Sequence, residues 1–159
     1  MSKAQALSRT LSHELAVAVR DACLCLHVQR AARALARHFD EVLRPAGLTN
    51  GQFSLLMSLN RPEPPTVGRV AAGLAMDRTT LTANLKPLER RGLVTIAVDA
   101  ADKRNRRLAL TIAGRAVLTA ALPLWKSGHA AIDGILGPAG GDRLRGDLRR
   151  ISENQAGRD

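Results

Sequence analysis

The stretch TVGRVAAGLAMDRTTLTANLKPLERRGLVTIAVDAADKRNRRLALT, residues 66–111, decides the fold. Thr66 is placed to cap a short helix in which Val67, Val70, Ala71 and Leu74 fall at i, i+3, i+4 and i+7, one apolar face of a 3.6-residue period. Ala75 and Met76 leave room only for a tight turn before Asp77, whose carboxylate suits an N-cap and the positive end of the next helix dipole. Leu81, Leu85 and Leu88 give that second helix a buried side, and Gly92 stops it. Leu93 to Val98 is a β-branched run matched by Arg107 to Thr111 across a polar loop, the pattern of a hairpin.

Two helices around a tight turn, followed by a basic hairpin, predict a winged helix-turn-helix. Upstream, Leu24, Val28, Ala31, Leu35, Phe39 and Val42 run at helical spacing, predicting one long helix from about Leu11 to Leu43, ended by Pro45 and Gly47. Thr49 then caps a shorter helix carrying Phe53, Leu55, Leu56 and Leu59, closed by the turn-rich stretch from Asn60 to Pro65. Downstream, Thr111 opens a helix with Ala116, Val117, Leu118, Leu122 and Trp125, bent at Pro123 and running to about Leu136. Leu144, Leu148 and Ile151 mark a last amphipathic helix. The expected fold is mainly α with a small β-hairpin wing: residues 1–48 and 112–159 form a separate helical platform around a DNA-binding region at 49–111.

The chain has 159 residues, 45% of them hydrophobic, with two Phe, one Trp and no Tyr, so its core must be Leu, Val and Ala. A net charge of +10 points first to nucleic acid as a partner. No apolar run approaches the ~18 residues of a membrane span, and the N-terminus lacks the apolar stretch of a signal peptide, so no membrane partner and a cytoplasmic location are expected. Cys23 and Cys25, two apart on a predicted helix, would point about 200° apart, and free thiols are expected. With His27 they scatter around the axis, so neither metal nor cofactor is expected. His13, His38 and His129 read as surface histidines, and Trp125 as a packing residue.

On the helix from Asp77 to Arg91 the positions opposite the leucines are Thr79, Thr82, Ala83, Lys86 and Arg90. Small residues allow close approach to a major groove, hydroxyls bond base edges or phosphates, and cations neutralise backbone charge. Pro87, at a cost near ~3 kcal/mol inside a helix, confines base contacts to Arg78 through Lys86, Thr80 included. Thr66 joins the expected DNA contacts at the start of the first helix. In the hairpin loop, Lys103, Arg104, Arg106 and Arg107 gather beyond Asp99 and Asp102, and a tip of this kind can present an Arg to a minor groove with a carboxylate holding it extended. Arg33, Arg37 and His38 are the candidates for meeting an acidic effector.

These residues resemble the MarR family of bacterial regulators, from Thr66 through Leu81, through Leu88-Glu-Arg-Arg-Gly-Leu-Val94, and in Asp99, Asp102, Arg104, Leu110, Thr111 and Gly114. The resemblance implies a homodimer with interlocked terminal helices, reading a near-palindromic double-stranded operator and repressing transcription until a small-molecule effector or thiol oxidation releases it. It makes Arg104 the minor-groove residue and Asp102 its support. Lys103 stands where a second wing Arg is frequent, which leaves open which cation inserts. Cys25 lies near the reactive cysteine of the family's organic-hydroperoxide sensors, although the tyrosines that support that sulfur are absent here. The alternatives are a non-specific architectural DNA-binding protein, resting on charge alone, and a thiol peroxidase using Cys25, for which no surrounding catalytic constellation is visible.

Overall fold

A computed structural model describes residues 12–156 of the chain. The molecule divides into two compact units that meet in sequence between Arg37 and His38.

The first unit carries α1 (His13–Ala22) and the N-terminal part of α2 (Leu24–Leu43). The single long helix expected from the sequence is therefore two helices, and its expected start at Leu11 lies outside the described residues. Cys23 breaks it by taking extended backbone, φ −74° and ψ 99°. Local bonds replace the lost helical ones: the Leu26 amide donates to Cys23 Sγ at 3.4 Å, an N-cap made by sulfur, and the His27 ring pairs with the Asp21 carbonyl at 3.0 Å. The apolar stripe that suggested one helix begins at Leu24, the first residue of α2, so nothing in it constrained residue 23. The angular argument that kept Cys23 and Cys25 apart on one helix fails with it, and both are free thiols.

The second unit holds the core. A 3₁₀ turn at Arg44–Ala46 ends on Gly47 with φ 67°, and α3 (Asn50–Ser58) starts at a full capping box between Thr49 and Gln52. Helices α4 (Val67–Gly73) and α5 (Arg78–Arg90) follow, capped by the side chains of Thr66 and Asp77. Between them Ala75 takes φ 50°, a left-handed conformation costing an alanine about 1–2 kcal/mol. Strands β1 (Val94–Val98) and β2 (Arg106–Leu110) pair antiparallel, Val94 opposite Leu110 and Val98 opposite Arg106. Helix α6 (Ile112–Leu136) runs through Pro123, and α7 (Gly140–Ala156) closes the fold.

Leu43, Leu55, Leu56, Leu81, Leu85, Leu88 and Leu108 are each at most 1% exposed, and full burial of such a side chain is worth about 1.5–3 kcal/mol. One junction sets where the wing stands. Thr111 caps α6 through Gly114, gives its hydroxyl proton to the Gly92 carbonyl at 2.6 Å and its amide to the Leu93 carbonyl at 3.1 Å. A Cβ on Gly114 would overlap the Leu93 carbonyl oxygen, so only glycine lets the first turn of α6 lie this close to the end of α5.

The chain's three aromatic residues sit together in this unit. Phe53 stacks on Trp125 at 5.9 Å, and His129 lies between Trp125 (4.2 Å) and Phe39 (4.6 Å). Burial, reinforced by the positive charge of Arg145, holds His129 below the ordinary histidine range. His129 is thus a packed ring rather than a surface one. His38 is also half-buried, against the edge of Phe39 and 3.3 Å from the Gly128 carbonyl. Sequence reading missed both because each is fixed by a partner far along the chain, the Gly128 carbonyl for His38 and the Phe39 ring for His129.

Candidate nucleic-acid interface

Leu81, Leu85 and Leu88 anchor α5 in the core, so its opposite face is open: Arg78, Thr79, Thr80, Thr82, Ala83, Lys86 and Arg90 are all exposed. Their hydrogen bonding separates them. Thr80 gives its amide (2.8 Å) and hydroxyl (2.6 Å) to the two oxygens of Asp77, which holds that carboxyl below the usual aspartate range. The Thr82 hydroxyl donates to the Arg78 carbonyl at 2.7 Å. Both therefore spend their donor inside the helix and keep only acceptor capacity, whereas Thr79 has no side-chain bond among the described residues. The Arg78 guanidinium folds over Gly68 of α4, where a Cβ would sit 2.8 Å from Nη2. Pro87 leaves the exposed Ala83 carbonyl without its helical donor, and α5 nonetheless continues to Arg90.

At the wing tip the Arg104 side chain is 91% exposed. Asp102 holds it from below, accepting its amide at 3.0 Å and its Nε at 3.2 Å, and accepts the Asn105 side-chain amide at 3.1 Å. Lys103 is exposed beside it. Arg106 instead folds back onto the carbonyls of Lys103 (3.0 Å) and Asn105 (3.3 Å).

The wing base is fixed by Asp99, the buried charged residue of the described core. It accepts the Ala101 amide at 2.9 Å and Arg107 Nε at 2.8 Å, and these contacts, with the Asp102 backbone amide, lower its pKa against the opposing effect of burial. Arg107 also donates to the Pro64 carbonyl at 2.9 Å, and Thr66 bridges to it through the backbone. Sequence reading grouped Arg107 with the tip cations. Its place in β2, one register step inside Arg106, turns it to the opposite face and so toward Asp99.

Cys25 is exposed on α2, with the Gln29 side-chain amide 3.3 Å from its sulfur. Arg33 and Arg37 form one exposed stripe with Arg30 on that helix, whereas His38 is engaged by Gly128. Among the described residues no group of three or more His, Cys, Asp or Glu is placed to hold a metal ion, and no helix is long and apolar enough to cross a membrane.

A helix pair joined by a tight turn, a second helix with a free polar face and a hairpin with a braced cationic tip define a winged helix-turn-helix protein. Comparison with known proteins agrees. Residues 46–105 match the model of the MarR family. The structure is similar to that of the transcriptional regulator MosR of M. tuberculosis in complex with DNA, at 38% identity, 86% coverage of this chain and 99% of that one, and a TM-score of 0.77. It is also similar to the transcriptional repressor CouR bound to a 23-mer DNA duplex, at 29% identity, 84% and 95% coverage and a TM-score of 0.77. The HTH-type transcriptional regulator TtmR of Methylorubrum extorquens is 37% identical over 95 residues, 60% of this chain and 49% of TtmR; the chain spans about half the length of that relative. The chain belongs to the MarR family.

Proposed function

We propose that this protein is a DNA-binding transcriptional regulator, acting as a homodimeric repressor on a near-palindromic operator and released by a small ligand or by thiol oxidation. The observation that carries the reading is the division of labour in the second unit: one face of α5 is locked into the core while Thr79, Ala83, Lys86 and Arg90 stay exposed, and Asp102 braces the exposed Arg104 at the wing tip. Free cations and small residues on a helix serve major-groove contact, and an extended Arg serves the minor groove. MosR and CouR, solved with DNA, are relatives consistent with this use. The protein needs no cofactor and catalyses no reaction in this reading.

The homodimer is supported by apolar residues left uncovered on the platform segments, 1–48 and 112–159. Leu15, Val19, Leu24, Val28 and Leu35 are exposed on α1 and α2, and Ile135, Leu136, Leu144, Leu148 and Ile151 on α6 and α7. Surfaces of this kind call for a second copy. The exposed Cys25 thiol is the candidate for oxidation, and the Arg33 and Arg37 stripe the candidate for an acidic effector.

The test is fluorescence anisotropy of the purified protein on DNA from its own promoter region, with random duplex as competitor, before and after organic hydroperoxide. Binding to an inverted repeat that random DNA does not displace is the expected result. Equal displacement by random DNA would instead identify a protein that coats DNA without sequence preference. Sedimentation run alongside reads the dimer directly.

A further inference from the structure

We infer that Arg61 and Arg69 form a seat for a backbone phosphate of DNA at the base of the wing, separate from the recognition face of α5 and from the wing tip. The inference rests on the DNA-binding reading above and adds to it two residues that sequence reading left unassigned.

A groove of about 630 Å³ opens between the α3–α4 connection and β2, and its charged and polar lining is Arg61, Glu63, Thr66, Arg69 and Arg107. Three cations face one carboxylate. Arg107 is already committed to Asp99 and to the Pro64 carbonyl, so it serves as a fixed wall with a residual positive charge. Among the described residues Arg61 uses only Nε, donating to the Ser58 carbonyl at 3.0 Å, which orients the side chain and leaves both terminal nitrogens without a partner there. The Arg69 side chain is exposed and makes no hydrogen bond or ion pair among the described residues. Thr66 Oγ1 accepts the Arg69 amide at 3.3 Å, so its own proton remains to be given. Two free guanidinium groups and a hydroxyl donor suit a tetrahedral oxyanion, which accepts several charge-assisted bonds at once.

The frame is rigid. Pro62, Pro64 and Pro65 fix the backbone across the groove, the Leu108 amide donates to the Pro65 carbonyl at 2.9 Å, and Thr66 bridges to Arg107. A preformed site loses little ordering entropy on binding. Continuity selects the occupant: Thr66 caps α4, the helix whose Gly68 carries the Arg78 guanidinium of α5, and Arg107 lies in the strand leading to the wing tip. A duplex engaged by α5 and the tip presents its sugar-phosphate chain to residues at this edge. A seat of this kind reads no base. It fixes register and orientation.

The experiment compares wild type with Arg61→Gln, Arg69→Gln, the double variant and Lys126→Gln, an exposed cation on α6, by anisotropy on the inverted-repeat duplex and on random duplex between about 50 and 200 mM salt. Thermal melts check that each variant folds. Each single Arg variant should lower the slope of log affinity against log salt by about one for each subunit of the dimer, and the double variant by about two for each. Both duplexes should weaken by the same factor, with Lys126→Gln unchanged. In ethylation interference the double variant should lose sensitivity at one phosphate per half-site. A double variant with wild-type slope, or a loss matched by Lys126→Gln, would overturn the seat while leaving the DNA-binding reading intact. A wild-type protein that binds neither duplex would overturn both.

Discussion

Arg107 donates its Nε to Asp99 Oδ2 at 2.8 Å across the end of the hairpin, and the carboxylate it meets is almost wholly buried while the guanidinium is partly exposed. The pair ties the residue after β1 to the second residue of β2, and through the Pro64 carbonyl it ties both to the segment before α4. The wing therefore leaves the core at a fixed angle.

That pair should appear in the pH dependence of stability. The Ala101 amide and Arg107 lower the Asp99 pKa, so its stabilisation is fully present above the carboxyl's unfolded value and is lost as pH falls through the lower folded one. Thermal melts of wild type from neutral pH to below about pH 4 should fall more steeply than those of Asp99→Asn, which should start lower at neutral pH. Parallel curves would remove Asp99 from this role.

Arg104→Ala should weaken operator binding and reduce its salt slope by about one for each subunit of the dimer, with the melting temperature unchanged, because the side chain is almost fully solvated. Asp102→Ala should weaken binding too, through loss of the carboxylate that holds Arg104, while keeping the wild-type slope because every cation remains. Identical slopes for wild type and Arg104→Ala would place the inserting cation at Lys103 instead.

Gly114→Ala adds one methyl group against the Leu93 carbonyl and should cost about 1–3 kcal/mol or more, as forced overpacking does. In a chain of this size each kcal/mol lowers the melting temperature by roughly 2–4 °C. The same change at Gly51, where a Cβ would meet nothing, should leave the melt in place or raise it slightly.

Cys25→Ser should bind operator as wild type does and lose any hydroperoxide-driven release. Release that persists in this variant and vanishes in Cys23→Ser would transfer the sensing role to the sulfur that caps α2.

The order of elements was legible because each boundary carries a local signature: Thr49, Thr66, Asp77 and Thr111 all cap the helices they were expected to open, by side-chain bonds within three residues. The break at Cys23 was not, since it involves neither Gly nor Pro and is made by a thiol acting as a cap. At the interface, periodicity separated the exposed face of α5 from its buried one, but it could not tell Thr79 from Thr80 and Thr82, whose protons are spent locally. Nor could it distinguish Arg107 from Arg106, because that difference comes from strand register, and register is settled between segments rather than within one.

The ring cluster around Trp125 has an optical consequence. With no tyrosine and a single tryptophan in the chain, ultraviolet emission originates from one indole, in contact with Phe53 and His129. Its colour and intensity respond to the stacking of Phe53 of α3 on Trp125 of α6 and to His129 beside it, so the protein carries an intrinsic label with which a shift between these two helices can be followed without attaching a dye.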